Sequence, residues 1–178
     1  MIRVTATTVV YENRWMRVRE DETLLPDGTP GLYSVVEKPP AAVIVPLDDD
    51  DTAVWLVEQY RHPVGQRFWE VPQGAWEDAP DADAEELARG ELAEETGLRA
   101  GRIERLTRLY FAYGISNQPF DVWVARDLEA GETALEHTEQ GLVAGKFGVG
   151  DVRTMVREGR IQDSATVAAL GLALGAFA

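Results

Sequence analysis

The stretch Leu87–Leu98, LARGELAEETGL, sets Glu91, Glu94 and Glu95 within five positions of one another, with Gly90 directly before them. Wound as a helix at about 100° per residue, residues 84–98 place Ala84, Leu87, Ala88, Leu92 and Leu98 on one broad apolar face. Glu91 and Glu95 fall inside that face and Glu94 lies at its margin. Two glutamates four apart repel by a few tenths of a kcal/mol when exposed. Burying them unpaired costs far more. A cation between the carboxylates relieves both problems, and hard oxygen ligands select Mg²⁺ or Mn²⁺ over zinc. On spacing alone a solvated acidic face stands as an equal alternative, and Glu85 and Glu86 read as such a face. Gly90 raises a separate question, since glycine costs an exposed helix interior about 1 kcal/mol relative to alanine.

Working outward, FWEVPQGAWEDAPDADAEELARGELAEETGL (residues 68–98) reads as a short strand, a loop and this helix. Asp83 with Glu86 three residues on makes a capping-box-like start, and Gly97 is a natural stop. Before it, TATTVVYE, WMRVREDETLL and LYSVVEK are β-like, with LPDGTPG as a turn. Pro39 and Pro40 predict a boundary between an N-terminal β subdomain (1–39) and a main domain (40–178). AAVIVPL and AVWLVEQY follow as apolar strands. The acidic run Asp48–Asp51 between them lacks the glycine and final glutamate of a calcium loop, so it reads as a solvated hairpin turn. RIERLTRLYFA and FDVWVARDL are two more strands. VGDVRTMVREG is expected as a helix capped by Asp151 and ended at Gly159, and IQDSATVAALGLALGAF as a last helix capped by Asp163 or Ser164. Strands that lead and trail a central helix, with more helix at the end, imply a mixed sheet flanked by helices.

Charge and composition narrow the function. A net charge of −14 over 178 residues repels nucleic acid and anionic membranes, so no nucleic-acid or membrane partner is expected. A phosphorylated small substrate stays compatible if a metal ion or local arginines supply positive charge. Basic residues are almost all arginine, with only Lys38 and Lys146 as lysines, and arginine suits bidentate phosphate binding. No cysteine is present, which excludes disulfides and thiolate chemistry. The opening MIRVTATTVVYENRW has no apolar core, so no secretory signal is expected. SATVAALGLALGAFA is uncharged but shorter than the roughly 20 residues of a membrane span, and reads as a buried helix. A soluble cytoplasmic protein is the expectation.

GELAEETGL resembles the second half of the Nudix box, with Glu91, Leu92, Glu94, Glu95, Gly97 and Leu98 in register. LPDG, VEQYRHPVGQRFWEVPQG, EHTEQG and REGRIQDSATVAAL are similar to their counterparts in ADP-ribose pyrophosphatase-type Nudix hydrolases, so the resemblance covers nearly the whole chain. It implies an α/β (α+β) fold: a Nudix-type mixed β-sheet sandwiched between helices, with an N-terminal antiparallel sheet that pairs two copies into a homodimer. It also implies Mg²⁺- or Mn²⁺-dependent hydrolysis of the pyrophosphate of a nucleoside diphosphate linked to another group, such as ADP-ribose or a related nucleotide sugar. Position by position, Glu91 and Glu95 would be the main metal ligands, Glu94 would assist, and the carbonyl of Gln73 would be a further ligand. Catalysis would involve Glu94, Glu95 and a loop glutamate in EHTEQG, with Glu139 the first choice and Glu136 the second. Arg61, Glu70 and Gly114 would bind substrate.

The chain also departs from the family pattern. The box arginine is Gly90, and Arg89 lies about 160° around the helix from Glu91. The loop carries about two extra residues on the family spacing, since the first box glycine is Gly74 where counting back gives Trp76. Ala82 replaces the first box glutamate; Glu77 is retained near Gly74, and Asp81 or Asp83 would stand in for the lost carboxylate. Ala112, Tyr113 and Gly114 replace a Ser-Pro-Gly substrate loop, and Gln118 stands where a glutamate is common. Gln73 in VPQG resembles dinucleoside polyphosphate and RNA-cap enzymes. Tyr113, Trp69 and Trp76 read as core or as base-stacking residues, and His62 and His137 as structural. Two alternatives to the leading function follow: a catalytically weak Nudix domain that binds a nucleotide as sensor or scaffold, and a dinucleoside polyphosphate or RNA-cap pyrophosphohydrolase. If the arginine's place is vacant, Gly90→Arg should raise activity; if the site is rebuilt around glycine, it should lower it.

Overall fold

The computed structural model describes residues 1–131 and 141–175. Among the described residues, ten strands form three sheets. The first is an antiparallel meander of β1 (Arg3–Glu12), β2 (Arg17–Leu24) and β3 (Pro30–Glu37), turned at Gly28, whose φ of +85° suits glycine. The second orders β10 (Val143–Gly148), β5 (Ala53–Arg61) and β6 (Gln66–Glu70), all antiparallel. The third orders β7 (Gln73–Gly74), β4 (Ala41–Pro46), β9 (Pro119–Ala130) and β8 (Leu98–Tyr110), and is mixed because β4 and β9 run parallel.

β4 explains the layering. Its six residues, AAVIVP, are all buried, as a strand covered on both faces should be. Alternation sends Ala41, Val43 and Val45 to one core with Val122, Val152, Met155, Ala169 and Leu170. Ala42 and Ile44 point the other way, to Leu87, Ala88, Leu92 and Trp123. The first core is closed by α2 (Val149–Arg157) and α3 (Ser164–Ala173), and the second by α1 (Ala84–Thr96). The mixed sheet sandwiched between helices is therefore as expected.

Local chemistry sets the helix ends. Asp83 Oδ1 accepts the backbone N–H groups of Glu85 and Glu86 at 2.9 and 3.1 Å, starting α1. Gly97 ends it at φ +71°, its N–H donating to the Ala93 carbonyl. Leu98 thus opens β8 rather than completing the helix. Asp163 caps α3 through Thr166 N–H at 2.7 Å. α2 differs from expectation: Gly148 is its cap residue, and Asp151 sits in the first turn, where it complements the helix dipole. The Asp48–Asp51 run is a hairpin turn, with Asp48 Oδ1 accepting from Thr52 and Ala53 N–H. These bonds, that from Ala53 foremost, hold the Asp48 carboxyl below its ordinary value.

Candidate active site

The loop from β6 to α1 brings its backbone close to the glutamates of the helix. Glu91 and Glu95 are buried, at 5% and 1% exposure, within the inward face of α1, and Glu94 is half-buried at its edge. Gln73 N–H donates to Glu95 Oε2 at 3.1 Å. One residue on, Gly74 lies so close to Glu91 that a Cβ there would stand 2.2 Å from Oε2. Only glycine permits that approach.

A second acidic group adjoins them. Glu70, at the end of β6 and 1% exposed, accepts from Gln59 Nε2 at 2.8 Å, from Arg61 Nε at 3.2 Å and in a close ion pair from Arg61 Nη2. Burial pushes the Glu70 carboxyl up from its ordinary value; Arg61 and Gln59 pull it back, and Asp163 adds a like charge. Gln73 Nε2 bridges Glu70 Oε2 (3.4 Å) and Asp163 Oδ2 (3.1 Å). A chain of polar contacts thus runs from α1 through the Gln73 loop to the start of α3.

These groups line one cavity of about 1160 Å³. Of the expected site residues, Arg61, Glu70, Gln73, Glu91, Glu94 and Glu95 are brought together there. Gly114 stands apart from that lining; its carbonyl accepts the Tyr33 hydroxyl at 2.6 Å. Glu136, His137 and Glu139 lie outside the described residues. Asp163 and Gln59 are site residues that sequence reasoning missed: Asp163 reads only as a helix cap, and Gln59 as one more strand residue. Glu77, Lys38, His62 and Gln118 also face the cavity. Of the three aromatic candidates, Trp69 packs edge-on to Phe147 (4.7 Å between centroids) and Trp76 packs on the α1-side core, while Tyr113 is 87% exposed.

The donor set fits a divalent ion. Glu70, Glu77, Glu91, Glu94, Glu95 and Asp163 face a cavity whose lining holds two permanent cations, Arg61 and Lys38. A cation placed there would offset the cost of burying Glu70, Glu91 and Glu95 side by side. The buried Gln73 Oε1 has no hydrogen-bond partner among the described residues, leaving an acceptor beside the glutamates. Among the described residues no three His, Asp or Glu side chains are gathered at metal-ligating spacing.

The place of the box arginine is filled. A Cβ on Gly90 would stand 2.4 Å from Trp76 Cζ2. Any side chain at position 90 would therefore meet the Trp76 indole.

Comparison with known proteins places the chain in a family. Residues 2–36 match the nucleoside diphosphate sugar hydrolase N-terminal domain and residues 37–151 the NUDIX domain. The chain is 34% identical to the ADP-ribose pyrophosphatase of Mycobacterium tuberculosis (strain ATCC 25618 / H37Rv) over 152 residues, which is 85% of this chain and 72% of that protein. It is 28% identical to the methanol dehydrogenase activator of Bacillus methanolicus, across 92% of this chain and 88% of the relative. A crystal structure of an ADP compounds hydrolase superposes with a TM-score of 0.85 at 21% identity, covering 98% of this chain and 92% of the other, which speaks to the fold alone. With the domain model spanning most of the chain and the glutamate helix facing the cavity, the chain belongs to the Nudix hydrolase family.

Proposed function

We propose that this enzyme hydrolyses, with divalent-metal assistance, the pyrophosphate of a nucleoside diphosphate linked to another group, ADP-ribose or a related nucleotide sugar being the preferred substrate. The observation that carries this reading is the convergence of Glu91, Glu94, Glu95, Gln73 and the Arg61–Glu70 pair on one cavity. The ADP-ribose pyrophosphatases among the relatives support the substrate class. Glu91 and Glu95, with Glu94 and the Gln73 carbonyl, would hold Mg²⁺ or Mn²⁺. Such an ion supplies charge neutralisation of the phosphate oxygens and activation of water. Arg61 would bind a phosphate or ribose oxygen while Glu70, itself held by Gln59, keeps its guanidinium in place. Glu95, fixed by the Gln73 N–H, is kept in one orientation toward the cavity. Glu94 is the more exposed of the three and is suited to taking part in proton transfer; Glu139 is assigned the loop-base role.

The N-terminal unit, residues 1–39, is assigned to homodimer formation, with residues 40–178 as the catalytic domain. β1 is exposed at all ten positions, and Val4, Val9, Val10 and Tyr11 stay about half exposed, surface that a second copy would cover. No helix among the described residues is long and apolar enough to cross a membrane; the cytoplasm is the proposed location, and a nucleotide rather than nucleic acid the proposed partner.

The test is a nucleotide panel assayed with Mg²⁺ and with Mn²⁺, comparing wild type with Glu95→Gln. Release of AMP from ADP-ribose by wild type, lost in the variant, is expected. Tight nucleotide binding with no turnover of any substrate would instead favour the sensor or scaffold reading. Preference for a dinucleoside polyphosphate or capped RNA would favour the third.

A further inference from the structure

Gly90 is a mid-helix glycine with a specific neighbour. A methyl carbon built on it would meet Trp76 Cζ2 at 2.4 Å, Cη2 at 3.1 Å and Cε2 at 3.4 Å. The benzenoid edge of the indole therefore rests on the bare backbone of α1, one residue before Glu91. Trp76 is half-buried and packs against the core that contains Leu87, Ala88 and Leu92. Its own carbonyl accepts Ala79 N–H at 3.1 Å, and Ala82 N–H returns to Ala79 O at 3.0 Å, so the segment after it is a run of turns leading to the Asp83 cap.

Two residues earlier the relation is reversed. There the loop provides the glycine, Gly74, and the helix provides the large group, the Glu91 carboxylate. Loop and helix are thus keyed together by two reciprocal contacts, the Glu91 side chain against Gly74 and the Trp76 ring against Gly90. Between and beside them lies the Gln73 N–H bond to Glu95. A rigid aromatic ring packed at native density on a helix fixes its own backbone, and the backbone of residues 73–76 donates to Glu95 and abuts Glu91.

We propose that Trp76 is a positioning residue for the glutamate site: seated on Gly90, its indole holds the 73–76 backbone against α1 and so sets where the Glu91 and Glu95 carboxylates stand. This rests on the metal reading given above. It also makes the glycine a requirement of the seat rather than a gap in the helix.

The experiment uses the full chain, with Mn²⁺ as the probe, in four variants: Trp76→Ala, Trp76→Phe, Gly90→Ala and the double Trp76→Ala/Gly90→Ala. Binding is read from free Mn²⁺ by electron paramagnetic resonance and stability from the melting temperature without metal. Trp76→Ala should weaken Mn²⁺ binding by about tenfold or more, the scale of losing a group that orients a ligand, and Trp76→Phe should recover most of it. Gly90→Ala should lower the melting temperature in wild type, where the methyl displaces the ring. In the Trp76→Ala background the same change should raise it, because alanine is the better helix former. If Trp76→Ala lowers the melting temperature but binds Mn²⁺ as wild type does, the indole is core packing only and the positioning role is wrong. An effect of Gly90→Ala with the same sign in both backgrounds removes the seat. If wild type itself takes up no Mn²⁺, the metal reading fails and the positioning role falls with it, a result distinct from wild-type binding that Trp76→Ala leaves intact.

Discussion

Glu70 and Asp121 are both buried carboxylates held by arginine, at 1% and 2% exposure, yet they are driven in opposite directions. Glu70 has one arginine, two glutamine donors and an acidic neighbour in Asp163, and burial leaves its carboxyl above the ordinary value. Asp121, on β9, receives Arg105 and Arg108 from β8, the latter through paired bonds at 2.9 and 2.8 Å. Burial pushes its carboxyl up, but the bonds from Arg108 and then Arg105 bring it below the ordinary value. The strand pair is over-compensated and closed, with two cations on one anion. Glu70 is the less compensated of the two, with one cation and an acidic neighbour. Cost of burial and local charge together, not burial alone, separate a structural acid from a site acid.

The largest effect that could break this contrast is on turnover. Glu95→Gln should lower kcat by at least about 100-fold, since the chemistry depends on carboxylates at that face. Its melting temperature should hold or rise, because removing one of several crowded buried charges relieves the fold. A variant that kept its activity would place the site elsewhere.

Asp121→Asn should do the reverse. It strips charge from a bonded pair of arginines and should cost about 2 kcal/mol in a urea titration, a moderate figure because both guanidiniums are nearly half exposed. Turnover measured at saturating substrate should stay within about twofold of wild type, as a loss of stability alone predicts.

Acid titration of the melting temperature sharpens the comparison further. Asp121 has a folded value below its unfolded one. Its contribution is therefore present above the unfolded carboxylate range, near pH 4, and is lost as pH falls through the folded value. Glu70 has a folded value above its unfolded one, so its contribution is fullest at low pH and is lost as pH rises through the folded value. Relative to Asp121→Asn, wild type should lose its advantage on acidification. Relative to Glu70→Gln, it should gain. Parallel curves for the two pairs would show that the two carboxylates are not differently compensated.

The smallest expected effect is Arg105→Ala. Arg108 keeps its paired bonds to Asp121, so the loss should be about 1 kcal/mol or less in the same denaturation assay. A cost equal to that of Asp121→Asn would mean that Arg105 alone carries the compensation.

Much of this molecule follows from local rules. Asp83, Gly97 and Asp163 mark helix ends because caps and left-handed stops depend on a few adjacent backbone groups. β4 announces its double burial by an unbroken apolar run. Glu91 and Glu95 share a buried face because helical periodicity is a property of the chain itself. The α2 start is not legible locally, because Asp151 is a good capping residue in sequence while the strand before the helix already hands over at Gly148.

What tertiary structure alone decided lies between elements. The Gln73 bond to Asp163 joins residues 90 positions apart, and no periodicity relates them. Asp121 meets Arg105 and Arg108 only through the register of β8 on β9. Gly90 is the sharpest case. By sequence it is a missing side chain in a helix that would be more stable with one. In the folded chain a tryptophan from the preceding loop occupies that volume, and two groups cannot share it. Helical spacing sufficed to gather the glutamates; the packing of a loop on a helix decided what stands beside them.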